Sequence, residues 1–214
     1  MEPLLKALRC DDKEVRKSAA VALGRIGDPR AIELLVETLG CADSELRQMA
    51  AWALGDIKDP RSAEPLVNAL RDEDSRVRKI AASSLGLIRD AKTVEALAVA
   101  LDDASAEVRQ EAVRALGRMK DVRVVKPLIK ALGYETISNY IWVVDALANI
   151  GQPAVPSLIE ALADKNKNIS GGAAASLIEI GQPALGLLRE AFEKEKDIII
   201  RGKMLDIIEK IAKE

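Results

Sequence analysis

Residues 28–59 read DPRAIELLVETLGCADSELRQMAAWALGDIKD, and residues 59–90 read DPRSAEPLVNALRDEDSRVRKIAASSLGLIRD. Laid over each other at an offset of 59 − 28 = 31 residues, they share Asp-Pro-Arg, then Glu, Leu-Val and Leu, then Asp-Ser, Arg, Ala-Ala, Leu-Gly, Ile and a closing Asp. The same period runs along the chain. One leucine column holds Leu8, Leu39, Leu70, Leu101, Leu132 and Leu162, and a second holds Leu23, Leu54, Leu85, Leu116, Leu147 and Leu177. Both step by 31 four times and by 30 once, so two independent columns agree on a single deletion. A period of this length marks a repeat architecture in which each unit buries its apolar face against the next.

Within residues 60–90 the apolar positions Ala63, Leu66, Val67 and Leu70, and then Val77, Ala81, Leu85 and Ile88, recur at helical spacing. Each unit therefore reads as two helices, and no stretch alternates like a strand. Asp12, Asp43, Asp74, Ser105, Thr136 and Asn166 share one column, and each is a residue type that caps a helix N-terminus. The second helix ends near Gly27, Gly151 and Gly181, suited to a left-handed C-cap, or near Lys58, Arg89 and Lys120, which offer a cation to the last carbonyls. Pro29, Pro60, Pro153 and Pro183 open the following first helix. Pro3, Pro65 and Pro127 stand further in, where a proline is expected to bend the helix. These marks divide a single domain, residues 1–214, into units of about 1–28, 29–59, 60–90, 91–121, 122–152, 153–182 and 183–214.

The recurring string Asp-Pro-Arg-x-x-Glu-x-Leu, a turn, then Val-Arg-x-x-Ala-Ala-x-Ala-Leu-Gly-x-Ile resembles the HEAT-repeat superfamily, in particular the short HEAT-like repeats named after phycobilisome lyases. Residues 1–121 match closely. Further on, the Arg column of Arg16, Arg47, Arg78 and Arg109 becomes Tyr140 and Ser170, and the Gly column of Gly24, Gly55, Gly86 and Gly117 becomes Ala148 and Ile178. The resemblance implies an all-α fold, a right-handed α-solenoid of six to seven helix-turn-helix units, with the second helices on its concave side. It says little about activity, because fold does not fix function.

The composition removes several chemistries. The chain has 214 residues and no histidine, which excludes Ser-His-Asp and Cys-His catalysis, HExxH zinc sites and the His-held iron of HEAT-repeat hydroxylases. Lys and Arg number 32 against 34 Asp and Glu, a formal charge of −2 that argues against a general nucleic-acid binder. No apolar run approaches the roughly 18 residues of a membrane helix, and no secretory signal opens the sequence, so a cytoplasmic protein is expected. Cys10 and Cys41 share a column on adjacent units. Packed neighbouring helices lie about 8 to 10 Å apart, too far for a disulfide, so both are expected to be free thiols. The turn carboxylates Asp72, Glu73, Asp74, Asp102 and Asp103 read as caps rather than as a cation site, and no metal or cofactor is expected. The Arg column reads as structural, pairing with turn aspartates of its own or the neighbouring unit. The Gly column reads as a mark of close helix approach, because glycine inside a helix costs about 1 kcal/mol relative to alanine.

On the second helix, Val15, Ala19 and Ile26 fall within about 80° of Leu23 and are expected to face the core. Lys17, Ser18, Val21 and Arg25 point away, and Gly171 and Gly172 continue these positions near the C-terminus. Structural columns repeat while this row varies, as a scaffold with a tailored surface would show. The row supplies the candidate partner-binding residues Met49, Trp52, Asp56, Ile80, Leu87, Arg114, Arg118, Trp142 and Asp145. Trp, Met and Arg are enriched at protein interfaces, and charges over the row nearly cancel, which suits a protein or peptide better than a phosphate backbone. The leading expectation is a non-catalytic scaffold, monomeric or weakly dimeric end to end, that binds a protein segment on its concave face. Two alternatives belong to the enzyme class. A bilin-lyase-like subunit would follow from the repeat string, and a HEAT-like alkylpurine DNA glycosylase from Trp52, Asp56, Arg114, Arg118 and Trp142. A designed repeat array is a further alternative, against which stand the deletion, the two cysteines and the decayed C-terminal columns.

Overall fold

The computed structural model describes residues 2–133 and 137–213. Among them the regular elements are helices, and no strand occurs. The chain divides into two compact units, Met1–Ala115 and Leu116–Glu214, with the division inside a helix.

The first unit holds α1 (Glu2–Ala7), α2 (Lys13–Ile26), α3 (Ile32–Leu39), α4 (Ser44–Ile57), α5 (Ala63–Ala69), α6 (Ser75–Ile88), α7 (Val94–Ala100) and most of α8 (Ala106–Met119). Short and long helices alternate, as the two-helix repeat predicts. The long helices begin at the predicted caps. Asp12 accepts from the N–H groups of Glu14 and Val15 at 2.8 and 3.1 Å, and Asp43 accepts from Glu45 and Leu46 at 2.9 and 3.1 Å. Thr136, the cap expected for the fifth unit, lies outside the described residues. The helices end in left-handed residues: Gly27 has φ 72°, but Lys58, Arg89 and Lys120 also sit at φ 55°, 57° and 54°. The three cations thus occupy the glycine position itself.

Entry into each first helix is a 3-10 turn, Pro29–Ala31 and Pro60–Ser62, capped by Asp28 and Asp59. Asp28 accepts the Arg30 N–H at 2.9 Å and holds the Arg30 guanidinium at 2.6 Å. Those bonds pull its carboxyl down to about 2. The 3-10 turn changes the role expected for Pro65. It lies in the first α-helical turn of α5, just after the 3-10 entry, where its missing N–H has little to lose.

Packing follows the leucine columns. Leu23, Leu35, Leu54, Leu66, Leu85 and Leu97 are fully buried, and α2 lies against α4, and α4 against α6. The Gly column sets that approach. A Cβ on Gly24 would stand 2.8 Å from Ala53 Cα, and one on Gly55 would stand 2.9 Å from Ser84 Cα. Ser84 is buried there, and its hydroxyl donates to the Ala51 carbonyl at 2.9 Å, joining α6 to the backbone of α4.

The Arg column ties the turns. The Arg47 guanidinium grips the Asp72 carboxylate through Nε and Nη2, both at 2.8 Å, and its Nη1 donates to the carbonyls of Cys41 and Ala42. Arg78 repeats this on Asp103 at 2.8 and 3.0 Å, with Nη1 on the carbonyls of Asp72 and Glu73. Each arginine therefore closes its own turn and clamps the next one. Burial opposes ionisation of Asp103, but Arg78 and the Ser105 N–H outweigh it, and the carboxyl ends below its ordinary value.

The first repeat departs from the expected core. Val15 is 43% and Ile26 55% exposed, although Leu46, Val77 and Val108 in the Val15 column are buried. The column is apolar because the long helix of the repeat before covers it elsewhere, whereas on that side α2 has the short α1. Val15, Ala19, Ala22, Leu4 and Ala7 instead line a depression of about 480 Å³.

The second unit continues from α8 with α9 (Val125–Ala131), α10 (Ile137–Ile150), α11 (Val155–Ala161), α12 (Lys167–Ile180), α13 (Leu185–Lys194) and α14 (Ile198–Lys213). Here α10 packs on α12 and α12 on α14, around Leu128, Leu147, Leu158, Leu177 and Leu188. A Cβ on Gly117 would stand 2.9 Å from Ala146 Cβ, so the close approach persists. Gly172 is buried rather than on the variable row, because a Cβ there would stand 2.5 Å from Leu132 Cδ2. In α14, Ile207 and Ile211 are buried as expected of a closing helix, while Ile198 and Ile199 at its start are 85% and 73% exposed.

Two outcomes follow. Gly55→Ala is expected to destabilise the protein by about 2 kcal/mol, since the methyl meets backbone that cannot yield cheaply, read as a lower urea midpoint. Asp103, whose folded pKa is depressed, contributes stability that is full above the ordinary carboxylate range and is lost as pH falls through the folded value. Asp103→Asn is therefore expected to be less stable at pH 7 and to lose part of the wild-type decline in urea midpoint below about pH 4.

Candidate interaction face on the second helices

The variable row stands between core and solvent. On α4, Met49, Trp52 and Asp56 are half-buried, and on the adjacent α6 Ile80 is half-buried while Leu87 is 36% exposed. These five residues lie on two neighbouring helices of the first unit, as the sequence arrangement requires. The Trp52 ring rests against α2, with Cζ3 3.1 Å from where a Gly24 Cβ would stand. The glycine that permits close packing thus also leaves room for the indole, and part of the ring is spent on the α2–α4 contact. Arg114, on α8 of the same unit, has a 34% exposed side chain whose Nη1 donates to Glu111 at 2.9 Å. Arg118, Trp142 and Asp145 belong to the second unit. Arg118 and Asp145 are exposed, and Trp142 is half-buried on α10. The sequence-derived residues therefore fall into one group in each unit.

The structure adds charge pairs that the sequence reading did not single out. At the start of the row Lys17 pairs with Glu14 at 3.0 Å and with Glu45 on the next helix, while Lys13 meets Asp43 at 2.6 Å and Glu45 at 3.2 Å. Lys79 pairs with Glu107 at 2.7 Å. The hydrogen bonds from Lys17 and Lys13 hold the Glu45 carboxyl below its usual range, and Lys79 does the same for Glu107. The lysine of one second helix and the acid 28 residues on form the repeating element, and 28 is the 31-residue period less one turn of three. That offset was the available signal. Between Lys17 and Glu45 and Lys79 and Glu107, the same positions carry Gln48 and Arg76. There Gln48 Nε2 is buried without an acceptor among the described residues, and Arg76 turns back onto its own cap, Asp74, at 2.9 Å.

The row is accordingly charged and internally paired at the N-terminal ends of the second helices, and apolar where Met49, Trp52, Ile80 and Leu87 stand. On α2 it opens into a shallow depression of about 340 Å³ lined by Lys17, Ser18, Val21, Ala22 and Arg25. The arrangement presents shape and apolar contact. Among the described residues no group of three or more His, Cys, Asp or Glu side chains is placed to hold a metal ion.

The profile of HEAT repeats matches residues 1–85, 63–138 and 137–206, and the chain belongs to that family. Among curated proteins no significant match occurs. The complex of CpcE and CpcF of phycocyanin lyase from Nostoc sp. PCC7120 matches with a TM-score of 0.63 and 22% identity, over 98% of this chain and 94% of that one. A designed armadillo repeat protein in complex with the peptide (KR)4 matches at 0.53 and 24%, over 84% and 98%. Human deoxyhypusine hydroxylase matches at 0.52 and 21%, over 100% and 96%. At these identities the likeness is one of fold: an all-α repeat protein of the solenoid class. No helix among the described residues is long and apolar enough to cross a membrane.

Proposed function

We propose that the chain acts as one repeat domain and a non-catalytic scaffold, holding a protein segment or peptide against the concave face formed by its second helices. The observation that carries this reading is the contrast between columns. Leucine, glycine and small residues that repeat are buried in helix contacts, whereas Met49, Trp52, Ile80 and Leu87 vary from unit to unit and keep part of their apolar surface accessible. A tryptophan buries about 150 to 250 Å², so one left half-covered beside Met49 is a ready anchor. Arg114 flanks the anchor in the first unit, and Arg118, Trp142 and Asp145 continue the same columns in the second. Pairing of Lys17, Lys79 and Arg114 with carboxylates of the chain itself leaves little attraction for a phosphate track, which weighs against the glycosylase reading. The bilin-lyase reading rests on the repeat string and on likeness of fold. The lack of histidine supports a binding rather than a catalytic role, and Val15 and Ile26 offer the apolar surface for a weak end-to-end contact.

A pull-down from source-cell lysate tests the reading. A protein captured by wild type is expected to be lost, at roughly tenfold or greater reduction, with a folded Met49→Ala, Trp52→Ala, Ile80→Ala variant. Equal capture by both would remove this face from the function, and a visible-spectrum change on adding a bilin to the purified chain would favour the lyase reading.

A further inference from the structure

Columns that are buried in the inner repeats stand open in the first repeat and in the last. In the first, Val15 is exposed where Leu46 and Val77 are buried, and Ala22 is half-buried where Ala53 and Ser84 are closed against the second helix before them. Val15 and Ala22 both line the depression of about 480 Å³ beside α2. In the last repeat, Asp197 accepts the N–H groups of Ile199 and Ile200 at 2.8 and 3.2 Å, as Asp12 accepts those of Glu14 and Val15, and this cap sets α14 in the register of the other second helices. Leu205 then shares the column of Ala20, Ala51 and Ala82, none of which is exposed, yet Leu205 is 44% exposed. Beside it a Cβ on Gly202 would meet nothing within 4 Å, and Ile198 and Ile199 stand in solvent. Ile199 replaces the charge that Glu14, Glu45 and Glu107 carry in its column, the reverse of what a solvent-facing terminal repeat needs. The open side of α14 and the open side of α2 are thus the two halves of the contact that α2 makes with α4, and α4 with α6.

We propose that these two faces bind each other between copies of this chain, α14 of one copy packing on α2 of the next as α2 packs on α4 within a copy. This rests on the weak end-to-end contact of the proposed function and supplies its second surface. Charge follows the same register. Arg47 reaches Glu73 of the following repeat at 3.2 Å. Arg201 shares the column of Arg47, and Asp11 shares that of Glu73, so the join sets Arg201 of one copy against Asp11 of the next. The Arg201 guanidinium lies 4.7 Å over the Phe192 ring, which holds it at the surface of the last repeat. Glu209 occupies the column of Gly24, but so do Ala148 and Ile178 where α10 meets α12 and α12 meets α14, and a join of this kind does not require glycine. Its carboxylate falls opposite Ala22, one turn from Arg25 of the next copy. A contact between unlike faces leaves one of each free, so further copies add in the same way.

Sedimentation velocity of the full chain tests this. The weight-average mass is expected to rise with concentration towards the millimolar range and to pass twice that of one chain. Val15→Glu, which blocks the α2 face, and Leu205→Glu, which blocks the α14 face, are each expected to stay monomeric. Both positions are exposed, and an unchanged urea midpoint checks that each variant keeps its fold. An equimolar mixture of the two is expected to form a dimer and stop there, because each supplies the face that the other lacks. Arg201→Glu is expected to weaken assembly about tenfold, and Asp11→Arg in the same chain to restore it. A mass that stays at one chain at every concentration would overturn the end-to-end contact itself. Assembly that persists in either single variant would show a contact between like faces, and a mixture that stays monomeric would show a different surface; each would overturn the pairing of α14 with α2. The Met49→Ala, Trp52→Ala, Ile80→Ala variant keeps both faces, so these results are read apart from the pull-down.

Discussion

Close approach of successive second helices is the constraint on which the rest of this structure depends. Where a Cβ at Gly24, Gly55 or Gly117 would strike the next helix, only glycine lets the two backbones meet, and the partner position is correspondingly small: Ala53, Ser84, Ala146. Once that spacing is set, the leucine columns within each unit meet in a buried layer and successive turns fall into register. The register in turn lets Arg47 and Arg78 each close their own turn through two carbonyls and grip the aspartate of the next. The ladder is a consequence of the spacing, and it converts an apolar stack into one with a defined offset.

The same spacing shapes the face proposed to bind. A tryptophan on a tightly packed pair of helices cannot stand wholly clear of the neighbouring backbone, and Trp52 lies partly against Gly24. Half-burial fixes the indole and limits the ordering cost of a later contact, while the remaining surface stays open. The paired lysines and glutamates at the start of the row reduce its net field, so the proposed recognition would rest on shape and apolar contact in the middle of the second helices.

Most of the fold was legible because the repeat supplied several copies of each position. The Asp12, Asp43 and Asp74 caps, the Arg47 and Arg78 pairings and the Gly24 and Gly55 approaches were readable as columns before any geometry. What escaped were departures at single positions. Val15 follows a core column but has only the short α1 on that side, and Ile26 is exposed in a column that is half-buried at Ile57, Ile88 and Met119. Gly172 sits at a surface register yet is pressed under Leu132, and Pro65 enters through a 3-10 turn that helical spacing does not announce. Of the candidate face, the membership of the row was legible. The degree of burial of Trp52 was not, because it depends on the distance between two backbones.

The variable row keeps accessible apolar surface beside leucine and glycine columns that are buried. Acrylamide quenching of a Trp142→Phe variant, in which Trp52 is the one remaining tryptophan, tests this most directly. Intermediate emission with substantial quenching is expected in the isolated protein, and protection with a blue shift when the captured partner is added. Fully blue-shifted emission that acrylamide does not touch in the isolated protein would contradict it, and Trp52 would then belong to the packing of the repeats.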